Sequence, residues 1–140
     1  MIATARHEQA DFLADLGAAR TLDYRDDDFD RLLSDLDSVV DFTGRYGERS
    51  LKVLRPGGTL VSVPSGVDPK VHALADARKQ RSTGILVEPD PVGLAGLCDL
   101  IERGKLQIEL DEVFDLEQAA AAHRHAEASH GAGKIVLRVP

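Results

Sequence analysis

The chain has 140 residues, with 17 Lys and Arg against 24 Asp and Glu and a net charge of −7. That is enough for one domain's core, with no basic stretch dense enough to track a phosphate backbone, so nucleic acid is not an expected partner. The single Cys98 excludes an internal disulfide and a multi-cysteine zinc centre, and its apolar neighbours predict a buried helix position in a protein of the reducing cytoplasm. No apolar run is long enough to cross a bilayer, and Glu8 and Asp11 interrupt the N-terminus where a signal peptide would stay apolar, so no membrane partner is expected.

Ile2 to Ala5 reads as a short strand, followed by a helix with Phe12, Leu13 and Leu16 on its apolar face and Gly17 as its stop. Thr21 to Tyr24 is a second strand. The acidic run Asp26-Asp27-Asp28 then caps a helix carrying Phe29, Leu32, Leu33 and Leu36, because carboxylates favour the positive end of a helix dipole. Val39 to Phe42 is a strand, and Leu51 and Leu54 mark a helix that Arg55-Pro56-Gly57-Gly58 must end. Leu60 to Val63 resumes as a buried strand, Pro64 to Pro69 is a loop, Val71 to Arg78 a helix and Thr83 to Val87 a strand. Asp90-Pro91 supplies an N-cap with proline at the first helical position, ahead of Leu94, Leu97, Leu100 and Ile101. After Leu106 to Phe114, Asp115 and Gln118 have capping-box spacing, an alanine-rich helix runs to about Ser129, and Lys134 to Val139 closes as a strand.

Strand and helix alternate throughout, which predicts an α/β fold with a mostly parallel, doubly wound sheet. Asp37 to Val63 has the strand, helix, Gly-Gly turn and strand of a nucleotide-binding unit, yet no Gly-x-Gly-x-x-Gly occurs anywhere in the chain. Such a loop lends backbone amides to a pyrophosphate at a helix N-terminus. His123 and His125 lie two apart on a predicted helix and so point to different faces, which suits solvent-facing or locally bonded roles and not a metal site. No nucleophile-base pair stands out, so no catalytic residue is nominated.

In order, IATA, LGA at Leu16 to Ala18, LDYRDDDF from Leu22, VVDFTG from Val39, LKVLRPGGTLVSV from Leu51, LVEPD from Leu86, FDLEQAAAAHRHAE from Phe114 and GKIVLRV from Gly133 cover nearly the whole chain. Together they resemble the C-terminal, cofactor-binding part of the medium-chain dehydrogenase/reductase superfamily, of the zinc-type alcohol dehydrogenase and quinone oxidoreductase kind, in its zinc-independent branch. The resemblance implies an incomplete Rossmann-like sheet without its first strand and glycine-rich loop. It divides the chain into a partial dinucleotide-binding domain at 1–105 and a strand-helix-strand segment at 106–140 that would pack toward a catalytic domain absent from this sequence.

The activity it implies is hydride transfer between NADPH, or less often NADH, and a carbonyl or an activated alkene such as a quinone. The strand at Ile2 would then end at the adenosine ribose, where an acid serves NAD and a cation serves the phosphate of NADP. Arg6 suits that phosphate, with Thr4 as a hydroxyl donor, and the resemblance adds Tyr24 and, more weakly, Arg25. Glu8 lies close enough to keep NAD open. Thr43 and Gly44 would pass the adenine and ribose side, and Pro64 and Ser65 would approach the nicotinamide. Zinc is not expected, since the family's ligands lie outside this chain.

The missing strand would lie between those beginning at Ile2 and Val39. Its absence leaves two edges that pair directly, accept a strand from another chain, or leave the product marginally folded. A homo-oligomer, or a chain supplying the strand, is the expected partner, with the Thr83 to Val87 strand at a dimer edge. Two further readings stay open: a non-catalytic interaction module derived from such a domain, and a methyltransferase-like fragment, against which the C-terminal helix and strand argue.

Overall fold

The computed structural model describes residues 1–64, 66–85, 87–128 and 131–140. The chain forms two compact units, Met1–Glu88 and Pro89–Pro140. The first contains β1 (Ile2–Ala5), a 3-10 turn at His7–Gln9, α1 (Ala10–Asp15), β2 (Arg20–Asp23), α2 (Phe29–Leu32), β3 (Leu36–Asp41), α3 (Gly47–Val53), β4 (Leu54–Ser62), α4 (Pro69–Ala77) and β5 (Arg81–Gly84). The second contains α5 (Pro91–Glu102), β6 (Leu110–Asp115), a 3-10 turn at Leu116–Gln118, α6 (Ala119–Ala128) and β7 (Lys134–Arg138).

The fold is α/β and its strand pairs are parallel, as the alternation of elements predicts. The sheet is not continuous, however. The described residues form three sheets, β1-β2, β3-β4-β5 and β6-β7, and β1 and β3 do not pair with each other. Of the outcomes expected for the two open edges, direct pairing is therefore not adopted.

The best-packed part surrounds β4. Leu51, Leu54, Leu60, Val71 and Ala75 form a buried cluster, against which Leu36, Val39, Val67 and Leu74 pack. Strand alternation accounts for the side chosen by β3: Val39 packs on this cluster and Asp41 is buried, whereas Val40 and Phe42 are exposed. Gln80, just before β5, is buried and donates from Nε2 to the carbonyls of Leu51 (3.0 Å) and Leu54 (2.6 Å), satisfying acceptors at the end of α3.

Several boundaries shift from those expected. Asp35 adopts a left-handed φ of 60°, so α2 stops at Leu32 and Leu36 opens β3 instead of extending the helix. The α3 helix ends at Val53, but residues 55–58 form an irregularity within β4: the register moves from Leu36↔Leu54 to Ser38↔Thr59. Gly57 has φ +79°, and a Cβ on Gly58 would lie 2.9 Å from the Arg55 carbonyl oxygen, so both glycines are required by the turn. Strand β5 begins earlier than expected, at Arg81, and Leu86 lies outside the described residues, as does the Ser129 end of the last helix. Leu16 is 60 % exposed, and Cys98 is exposed because α5 buries none of its residues. The buried positions expected for both are thus corrected.

In the second unit, Asp90 accepts from the amides of Val92 and Gly93 with Pro91 at the first turn, and Asp115 and Gln118 form the reciprocal capping box. Helix α6 is tied to β6 through His125, whose Nε2 lies 2.9 Å from an Asp111 carboxylate oxygen. His125 is thus locally bonded, while His130 lies outside the described residues. Gly133 has φ +133° and passes so close to Leu110 and Asp111 that a Cβ would meet the Asp111 nitrogen at 2.6 Å.

Candidate cofactor site

Parallel pairing brings the C-terminal ends of neighbouring strands to one edge, where ligands of open α/β sheets bind. Ala5 pairs with Asp23, so Arg6 and Tyr24 emerge side by side, and Arg6 Nε donates to the Tyr24 hydroxyl at 3.1 Å. Among the described residues Arg6 has no carboxylate partner. Thr4 pairs with Leu22 and is exposed one residue before this edge.

Arg25 is differently placed. Its Nε donates to Asp23 Oδ1 at 3.1 Å and its Nη2 to Asp23 Oδ2 at 2.8 Å, and the same Nη2 lies 3.3 Å from Glu8 Oε2. Asp23 also accepts from the amides of His7 (2.8 Å) and Arg25 (2.9 Å), which ties the chain leaving β1 to the chain leaving β2. Hydrogen bonds from the Arg25 side chain and backbone hold the Asp23 carboxyl well below the usual range, and the same contact with Asp23 pushes Arg25 up. Glu8 is lowered too, first by a backbone hydrogen bond and then by Arg25.

At the ends of β3 and β4 the organising group is Asp41, which sequence reasoning did not single out. Its Oδ1 accepts from Thr43 N (2.8 Å), Thr43 Oγ1 (2.8 Å) and Gly44 N (3.0 Å), and its Oδ2 from Tyr46 N (2.9 Å). Burial raises the Asp41 pKa, but these donors more than offset it, and the carboxyl lies below its ordinary value. The pattern of Asp at a strand end with Thr-Gly two residues on is an Asx-turn signal that could have flagged it.

The loop so formed borders a cleft of about 350 Å³ lined by Asp41, Gly44, Arg45, Ser62, Gly66 and Asp68, among others. Of the expected site residues, Gly44 lines this cleft in a left-handed conformation (φ 70°). The Thr43 hydroxyl is engaged within the loop, donating to Asp41 and accepting from the Arg45 amide at 3.1 Å. Pro64 is exposed beyond β4, while Ser65 lies outside the described residues.

A second network joins α2 to α3. Arg49 Nε donates to Asp30 at 2.8 Å, Arg49 Nη2 reaches Asp28 at 2.9 Å, and Lys52 lies 3.1 Å from Asp30. The Arg49 guanidinium also sits 4.7 Å from the centroid of the Phe29 ring. This corrects the capping role expected of the acidic run: Asp28 makes no side-chain cap bond, and Asp27 accepts from the Asp23 amide at 2.8 Å.

The residues present fit part of a dinucleotide. An arginine and a tyrosine hydroxyl at one pair of strand ends, and a glycine-bordered cleft at the next, suit a phosphorylated ribose and its base. The sequence carries no glycine-rich cradle for the pyrophosphate. Among the described residues, no three His, Cys, Asp or Glu side chains are grouped to hold a metal ion.

Comparisons with known proteins agree with this architecture. The structure of the quinone oxidoreductase from Coxiella burnetii superposes with a TM-score of 0.88 at 33 % identity, over 99 % of this chain and 44 % of that one. The quinone oxidoreductase of Pseudomonas aeruginosa is 29 % identical over 148 residues, covering 93 % of this chain and 46 % of its own. The NADPH-dependent alkenal/one oxidoreductase of Arabidopsis thaliana, a chloroplastic protein, is 27 % identical over 137 residues, covering 96 % and 32 % respectively. The chain therefore spans less than half the length of these relatives. The family model described as zinc-binding dehydrogenase matches residues 16–137, from the end of α1 into β7. With parallel α/β topology and family match in agreement, the chain belongs to the zinc-binding dehydrogenase family within the medium-chain dehydrogenase/reductase superfamily.

Proposed function

We propose that this chain is the adenosine-binding part of an NADPH-dependent oxidoreductase acting on a quinone, an activated alkene or a carbonyl. The observation that carries the reading is the Arg6 guanidinium, without a carboxylate partner among the described residues and beside the Tyr24 hydroxyl at the ends of β1 and β2. A cation there suits the 2′-phosphate of NADP. The cleft at Gly44 would take the adjacent adenosine group, with Thr43 held in the loop that shapes it and Pro64 toward the nicotinamide. When bound, NADPH supplies the hydride; the residues of this chain bind and orient it. None of them is assigned a catalytic role, and turnover would also need a glycine loop and a substrate domain, neither of which is among these 140 residues. A reducing cytoplasm suits the exposed Cys98.

Fluorescence titration with NADPH tests this directly. Binding weaker than the micromolar range is expected for these 140 residues alone, and NADPH oxidation with a quinone should appear only when a glycine loop and a substrate domain are also present. Micromolar binding by the isolated chain would sink the view that its cofactor site is incomplete.

The open edges of β1 and β3 favour a second reading, an interaction module. Each edge presents unpaired backbone groups to a strand of another chain, which would come from a second copy or a longer relative. Stable oligomers in light scattering, with no response to nucleotide, would favour that reading over the enzymatic one.

A further inference from the structure

Three acids, Glu8, Asp23 and Asp27, lie near the ends of β1 and β2, where the proposed site must accept a phosphate. Unpaired acids there would do the opposite: they would repel the phosphate and accept from ribose hydroxyls. Asp27 is occupied by the Asp23 amide. The other two converge on Arg25, with both Asp23 oxygens bonded to its guanidinium and both Glu8 oxygens within 3.4 Å of its Nη2.

We infer that Arg25 is a specificity-determining positioning residue: it engages the carboxylates of Glu8 and Asp23 and offsets one of their two charges, so that the Arg6–Tyr24 pair can take a 2′-phosphorylated ribose in preference to a ribose diol. This rests on the adenosine-end reading above, and it gives Arg25 a role different from that of phosphate ligand. Arg25 is already committed to two carboxylates, whereas Arg6 is bonded only through Nε to a neutral hydroxyl among the described contacts. Loss of Arg25 leaves two uncompensated acids beside Arg6. Loss of Arg25 together with the Glu8 charge restores the original charge balance.

The test uses the full 140-residue chain and two probes that need no pyrophosphate cradle, 2′,5′-ADP and 5′-AMP, followed by NMR shift titration at low salt. The wild type should prefer 2′,5′-ADP. Arg25→Gln should weaken 2′,5′-ADP by up to about five-fold, the range of an exposed ion pair, with 5′-AMP nearly unchanged. Arg25→Gln/Glu8→Gln should recover most of that loss. Glu8→Gln alone leaves Arg25 on Asp23, so it serves if the Arg25 variants fail to fold, and it should tighten 2′,5′-ADP binding. The gain and the loss should both shrink at high salt. If Glu8→Gln leaves discrimination unchanged, or the double variant stays as weak as Arg25→Gln, the inference fails while the adenosine-end reading survives. A wild type that prefers neither probe overturns both.

Discussion

The three-stranded sheet and the two-stranded sheet of the first unit share one chain and one parallel geometry, yet they are held together differently. Around β4, helices α3 and α4 bury Leu51 and Leu60 to 1 % exposure, and Gln80 satisfies the carbonyls that close α3. Around β1 and β2 the buried apolar side chains are Ala5 and Leu22, while α1 and α2 bury nothing completely. There the order comes from polar contacts: Asp23 ties the strand ends, and Arg49 reaches across from α3 to Asp28 and Asp30. A sheet edge without a neighbour lacks both a hydrogen-bond ladder and the side chains that would cover it. Hydrophobic burial therefore holds the first region, and exposed ion pairs, individually weak, hold the second.

The largest effect should come from breaking the stronger region. Leu51→Ala removes a fully buried side chain from the cluster of Leu54, Leu60, Val71 and Ala75 and should cost about 2–5 kcal/mol. Leu22→Ala in β2 should cost less, near the lower end of about 2 kcal/mol, because a thinly covered site can collapse around the loss. Urea unfolding of the two variants measures the contrast. Equal losses would mean that the two-stranded sheet is as well packed as the three-stranded one. Hydrogen exchange sharpens the same comparison, with β1 and β2 amides expected to open below the free energy that protects β4.

Asp41 supplies the next effect. Asp41→Ala leaves the Thr43, Gly44 and Tyr46 amides without their acceptor and should cost about 1–3 kcal/mol. Asp41→Asn keeps the acceptor used by Thr43 and Gly44 but presents an NH₂ to Tyr46 N, so it should fall between wild type and alanine. Exchange protection confined to residues 43–46 should fall in both variants. Unchanged protection in Asp41→Ala would show that the loop does not depend on this carboxylate.

What could be read in the sequence was what depends on near neighbours. Asp90-Pro91 and the Asp115–Gln118 box act within a single helical turn, and the Val39 to Val63 unit announces itself by apolar runs broken by Pro-Gly-Gly. Arg6 could be nominated because strand ends follow from strand positions, Tyr24 only through the family resemblance, and the two side chains meet. The residues that escaped act across long separations: Gln80 reaches back 29 residues to Leu51, and Arg49 reaches 19 to Asp30. Periodicity does not reveal such pairs. Nor does it say whether an apolar stripe is covered, which is why Leu16 and Cys98 were expected to be buried and are not.

The smallest effect concerns the ion pairs that hold the weaker region, and pH separates it from hydrophobic packing. Bonds from Arg49 first, and then from Lys52, lower the Asp30 pKa to about 2. An unfolded chain would release that proton near the ordinary aspartate value of about 3.9. Because the folded pKa is depressed, the contribution is fully present above the unfolded value and is lost as pH falls toward the folded one. Stability of the wild type should therefore decline between about pH 4 and pH 2 more steeply than that of Asp30→Asn, which has no such proton to bind. At neutral pH the variant should be only slightly less stable, and added salt should narrow the gap. Thermal unfolding of both proteins across that pH range is the measurement. Parallel acid limbs would show that the Asp30–Arg49 contact does not stabilise the junction of α2 and α3, and would return the weaker region to its few buried side chains.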